Sequence, residues 1–114
     1  MEIKLEPLEL HIKAHDELMK CIEENLSNEQ KKICSSAILE MSKGREIQDG
    51  KIHYTRGLRE LCMVEENYVL PIIQKMIELR PYLNFNVETA LSYAKVSNQE
   101  TYKLLLNHLN QESD

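Results

Sequence analysis

From Leu5 to Leu26 the apolar side chains return in alternating steps of three and four: Leu5, Leu8, Ile12, His15, Met19, Ile22 and Leu26. An α-helix gathers such a set on one face, because residues three and four apart lie one turn from each other. Leu18 and Cys21 widen the stripe, and Pro7 suits a first turn, where its missing N–H costs no bond. A helix over about Pro7 to Leu26 is expected. Its stability must come from a surface that covers the stripe. Leu8, Ile12, Met19 and Ile22 are therefore expected to be largely buried, in a core or against a second copy of the chain.

Glycine and proline, three of each, leave few places where helices can stop. Ser27-Asn28-Glu29-Gln30 reads as a capping box, with Ser27 as N-cap and Gln30 reaching back. The second helix should then carry Ile33, Cys34, Ala37, Ile38 and Met41 on one face and stop at Gly44, a left-handed C′ glycine. Residues 45–54 lack helical period. Asp49-Gly50 between Ile47 and Ile52 suggests a short β-hairpin. A third helix is expected from near Thr55, and a fourth from an Asn67 cap, with Pro71 in its first turn. Arg80-Pro81 ends it, and Pro81-Tyr82-Leu83-Asn84-Phe85-Asn86 is a connecting loop. The fifth helix carries Val87, Ala90, Leu91 and Ala94. Ser97-Asn98-Gln99-Glu100 reads as a second capping box before a sixth helix with Tyr102, Leu105, Leu106 and Leu109. The expected fold is all-α: one domain over 1–114, with six helices in three stacked hairpins, one long hairpin over 1–44 and two over 55–110.

The last two hairpins repeat. At an offset of 33 residues Leu58 falls on Leu91, Leu61 on Ala94, Val69 on Tyr102, Ile72 on Leu105, Ile73 on Leu106 and Met76 on Leu109. A fixed period of this size marks stacked helical hairpins. Thr89-Ala90-Leu91-Ser92-Tyr93-Ala94, then Tyr102 and Leu104-Leu105-Leu106, resembles a degenerate ankyrin repeat, with Asn84-Phe85-Asn86 in place of that family's A-D-x-N segment. The preceding unit, with Thr55-Arg56-Gly57-Leu58 and Arg80-Pro81, follows the pattern less closely. The first hairpin does not follow it. The resemblance covers residues 55–110 and implies a protein-binding role, such as that of small host-directed effectors of intracellular bacteria and viruses or of their antagonists.

Chemistry offers less. His11 and His15 stand four apart on one helix face, a spacing that can seat a metal, but no two further ligands are local. No Glu is followed by His three residues on, as a di-iron site needs. Cys21, Cys34 and Cys62 lie on apolar stripes without CxxC spacing, so they read as reduced, buried thiols of a reducing, cytoplasmic compartment. No G-x-S-x-G, phosphate loop or dinucleotide fingerprint is present. No cofactor, no metal and no catalytic residue are expected, and an unrecognised small enzyme is a remote alternative. No stretch has the ~20 apolar residues of a membrane span.

The charge is uneven. Residues 1–30 carry eight acids and three bases, 31–59 three acids and seven bases, and 60–114 eight acids and four bases. The net charge of −5 and a single Phe without Trp disfavour nucleic acid. A basic middle in an acidic chain points instead to a partner protein with an acidic surface. The connectors supply the candidate partner-binding residues: Arg45, Lys51, Tyr54, Arg56 and Arg59 around the expected hairpin, and Tyr82 and Phe85 in the 81–86 loop. Leu83 and Phe85 could equally fold inward to plug the gap between hairpins. A regulator or inhibitor that occupies a partner's surface is the expected function. A homodimer through the long first helix is the alternative.

Overall fold

The computed structural model describes residues 7–45 and 52–112, and these are helices and connecting turns with no strand among them. The helices are α1 (Pro7–Asn25), α2 (Asn28–Ile33), α3 (Ser35–Ser42), α4 (His53–Cys62), α5 (Leu70–Glu78), α6 (Val87–Ser97) and α7 (Gln99–Glu112). Single 3-10 turns at Lys43–Arg45 and Asn67–Val69 follow α3 and precede α5. Helix α3 packs on α4, α4 on α6, and α6 on α7. On the other side α1 packs on α5, and α5 on α7. One apolar core runs between them, from Ala14 on α1 to Leu105 on α7, with Leu58, Leu61, Ile72, Ile73 and Met76 fully buried at its centre.

Local signals set several boundaries. The Ser27 hydroxyl accepts from the Gln30 N–H at 3.2 Å, and the Gln30 side chain accepts from the Ser27 N–H at 2.9 Å. The capping box forms as its sequence requires. Pro71 falls in the first turn of α5, where no intrahelical N–H is needed. Elsewhere the elements depart from expectation. The second helix breaks at Cys34, so that Cys34, Ala37 and Met41 are buried while Ile33 is 63% exposed. Gly44 lies in a 3-10 turn rather than ending a helix as a left-handed cap. The expected β-hairpin falls largely on 46–51, outside the described residues. Of its flanks, Arg45 belongs to the 3-10 turn, and His53 and Tyr54 already belong to α4.

The buried face of α1 is also rotated from the expected stripe. His11, Ala14, His15, Leu18, Cys21 and Ile22 face inward, Ile12 and Met19 are half-buried, and Leu8 is 53% exposed. The cause is polar. The His11 ring places Nε2 2.6 Å from the Gly44 carbonyl oxygen and Nδ1 3.0 Å from that of Tyr82. Nδ1 of His15 lies 2.6 Å from the Tyr54 hydroxyl. Positions 11 and 15 thus face the Gly44 turn and Tyr54, while Leu8 is left outward.

The junction of α6 and α7 carries a second polar anchor. Asn98, not Ser97, caps α7: its Oδ1 accepts from the N–H groups of Glu100 and Thr101 at 3.0 and 3.2 Å. Its buried amide also donates to the carbonyls of Val64, Glu65 and Glu66, at 3.2, 3.3 and 3.4 Å. One side chain thus starts a helix and ties down the turn that follows α4.

Candidate functional site: a basic groove

Helix α4 begins beside the end of α3 and beside the start of α6. The Thr55 hydroxyl accepts from the N–H of Asn86, the residue that caps α6, at 2.9 Å. Side by side, the three elements leave a groove of about 570 Å3, lined by Glu40, Lys43, Ile52, His53, Thr55, Arg56, Arg59, Asn86 and Thr89. Three cationic side chains and one carboxylate share it. Lys43 holds Glu40 at 3.1 Å, and the Arg56 guanidinium stands 4.0 Å from the same carboxylate while remaining 67% exposed. Arg59 lies one turn along and places its guanidinium 5.7 Å from the centroid of the Tyr93 ring on α6. Lys43 and Arg56 therefore flank one carboxylate, and Arg59 stands apart from them on Tyr93.

Of the residues expected to meet a partner, the structure brings Arg56 and Arg59 into this groove. Arg45 is exposed just past its rim, after Lys43. Lys51 lies outside the described residues. Tyr82 is 47% exposed but lies elsewhere, beside Leu10, Lys13 and Leu79. Tyr54 and Phe85 are corrected: both are buried, at 2% and 6% exposure. Tyr54 occupies the first turn of α4, which turns its ring under Gly44 and against His11 and His15. Phe85 lies beneath Arg80, whose guanidinium is 5.3 Å from the ring centroid and bonds both His108 and Glu112 of α7 at 2.8 Å. Leu83 folds inward beside it, at 1% exposure. Lys43 belongs to the basic cluster of the sequence around residues 45–59 but was not among the residues expected to meet a partner, and Thr89 was missed.

The other titratable groups point away from solvent chemistry. Burial raises the thiols of Cys21 and Cys34, and pushes that of Cys62 up to about 12, so none is held as a thiolate at neutral pH. No three His, Cys, Asp or Glu side chains converge to hold a metal among the described residues. Both ring nitrogens of His11 face backbone carbonyl oxygens, to one of which a neutral ring can donate.

His15 has a measurable consequence. Burial holds its pKa below the ordinary 6.5, opposed by the Asp16 carboxylate and aided by His11 and Arg45. Between that lowered value and 6.5 the unfolded chain takes up a proton that the folded chain refuses. Stability should then fall as pH falls through this window and be indifferent to this group above it. Urea midpoints at pH 7.5 and 5.5 should differ more for the wild type than for His15→Gln. Equal differences would mean that His15 is not titrating in a desolvated site.

Among the described residues no helix is long and apolar enough to cross a membrane. No protein-family model matches the chain, and neither a curated protein nor a solved structure matches it.

Proposed function

We propose that this chain is a non-catalytic binding module that docks an acidic partner protein on the groove between α3, α4 and α6. The carrying observation is the gathering of Lys43, Arg56 and Arg59 along one open groove of a chain whose net charge is −5. Such a field speeds encounter with an acidic surface and disfavours other partners. The groove offers cations, the His53 ring, hydroxyls, an amide and one carboxylate, Glu40, which Lys43 already holds, while the cysteine thiols are buried and protonated. A carboxylate engaged in an ion pair and cations open to solvent support recognition over catalysis. Occupation of a partner's surface would make the chain a regulator or inhibitor, and buried free thiols are compatible with a reducing cytoplasm.

A stacked-hairpin, ankyrin-like architecture supports the same role. Asn98 bonds the carbonyls of residues 64–66, which lie one 33-residue period earlier. Equivalent turns of successive units are thereby tied together, as repeat stacking requires. In this reading α1 to α3 form the first hairpin, α4 with α5 the second and α6 with α7 the third.

The test is affinity capture from the source cells by wild type and by Arg56→Glu with Arg59→Glu. The wild type should retain a partner that the variant loses, with affinity at least about tenfold weaker. Arg56 is exposed and Arg59 is half-buried on the outer face of α4, so the melting temperature should move little. Equal capture would make the groove an ordinary solvated face.

A homodimer through α1 is the second reading, and one observation favours it. Leu8 is 53% exposed, and Ile12 lines an open surface hollow with Glu9, Lys13, Asp16, Glu17 and Lys20, charges of both signs that a second copy could match. Sedimentation with Ile12→Glu decides it: a dimer that persists unchanged removes α1 from the interface.

A further inference from the structure

Beyond the basic groove, α4 and α6 leave apolar residues exposed, here termed a shelf. Arg59 of α4 meets Tyr93 of α6, so the two helices are in register there, with both starting at the groove end. Just past the end of α4, one turn beyond Arg59, stands Met63, 40% exposed. One turn further along α6 stands Val96, 87% exposed, and Tyr93 itself is 38% exposed. The order along this channel is therefore fixed. Lys43 and Arg56 lie at one end, Arg59 stacked on Tyr93 in the middle, and Met63 with Val96 at the other. Seven residues separate Arg56 from Met63 and Thr89 from Val96, which is about 10 Å of helix. An exposed apolar group on this scale, bordered by charge, is what a partner's side chain covers.

Resting on the reading above, we infer that the occupant is a peptide segment of mixed chemistry. Its carboxylates lie against Lys43 and Arg56, and its apolar side chains lie about 5 Å further along on Tyr93 and about 10 Å along on Met63 and Val96. Spread carboxylates suit the groove better than one phosphate does. Glu40 already stands between Lys43 and Arg56, so a compact dianion would meet a like charge at the point where the two cations come closest. Arg59 bridges the two halves, since its guanidinium faces the ring while its N–H groups remain available for a carboxylate. The segment runs in one direction only, acidic end toward Asn86 and apolar end toward Val96, because a reversed chain would set its acids over the shelf.

The test is fluorescence anisotropy on the full chain with a short labelled peptide that has glutamates at one end and leucine and phenylalanine at the other. Wild type should bind it at least about tenfold more tightly than a peptide of glutamates alone. Val96→Glu should weaken binding about tenfold, and so should Arg56→Gln with Arg59→Gln. Thermal melts confirm that each variant is folded; Val96 and Arg56 are largely exposed. If the arginine changes act and Val96→Glu does not, the shelf is idle; this inference falls while the basic-groove reading stands. If neither acts, or if the peptide does not bind, this inference falls with no help from the groove. Displacement by inorganic phosphate alone would assign the site to phosphate. A mass that rises with concentration and drops on Val96→Glu would assign the shelf to a second copy. Either result overturns the proposal.

Discussion

Asn98→Asp is expected to lower the unfolding free energy by about 3 kcal/mol, read as a fall in the urea midpoint with an unchanged slope. The substitution keeps the size of the side chain and the oxygen that caps α7, so the two N–H groups of Glu100 and Thr101 retain their acceptor. What it removes is the amide donor. In its place a carboxylate oxygen meets the carbonyls of Val64, Glu65 and Glu66 at donor-to-acceptor distances of 3.2–3.4 Å. Four electron-rich oxygens then share a site of 6% exposure. A buried acceptor facing only acceptors forfeits its solvation without return. Protonation relieves the conflict, since a neutral carboxyl can donate again, so the deficit should shrink as the buffer is taken toward pH 4. A variant within about half a kilocalorie of wild type would mean that water, not Asn98, satisfies those carbonyls.

Ile22→Ala is expected to cost about 2–5 kcal/mol, because the side chain is 1% exposed and its removal leaves a cavity between α1 and the rest of the core. Leu8→Ala is the paired measurement. Leu8 belongs to the same sequence stripe but is 53% exposed, so its loss should stay within about half a kilocalorie. Denaturant melts of the two variants check both. Equal and small losses would show that α1 is not the anchor its packing implies. Equal and large losses would show that Leu8 is covered, as in a self-associated form.

That pair also marks what could be read from residues alone. Periodicity placed the first helix over about Pro7 to Leu26, against the observed Pro7–Asn25, and located the helices of the second half to within a few residues. The Ser27 box was legible because both of its bonds close within three residues. The rotation of α1 was not, because the partners of His11 are backbone carbonyls 33 and 71 residues away, and a carbonyl has no signature in sequence. Tyr54 was misplaced for a related reason. Its hydroxyl pairs with a histidine 39 residues earlier, and only the close approach of Gly44 makes room for its ring, where any Cβ would overlap it. Asn98 defeated the capping-box pattern by one position, since its amide serves a distant turn as well as its own helix. The groove was half legible. The basic middle supplied Lys43, Arg56 and Arg59, but Thr89 comes from an element that only the tertiary fold sets beside them.

The packing of α1 on α5 has a consequence for how the chain is made. Cys21 on α1 meets the carbonyl of Pro71, a residue synthesised 50 positions later. At roughly 5–20 residues per second, α1 spends seconds outside the ribosome before its covering surface exists. A stripe built wholly of leucine would spend that interval as an adhesive. This one carries His11 and His15 among Ala14, Leu18 and Ile22, and both rings are well hydrated until Gly44, Tyr54 and Tyr82 arrive to replace the water. The histidines that fix the helix in the finished protein thus also make the wait for its partner less hazardous.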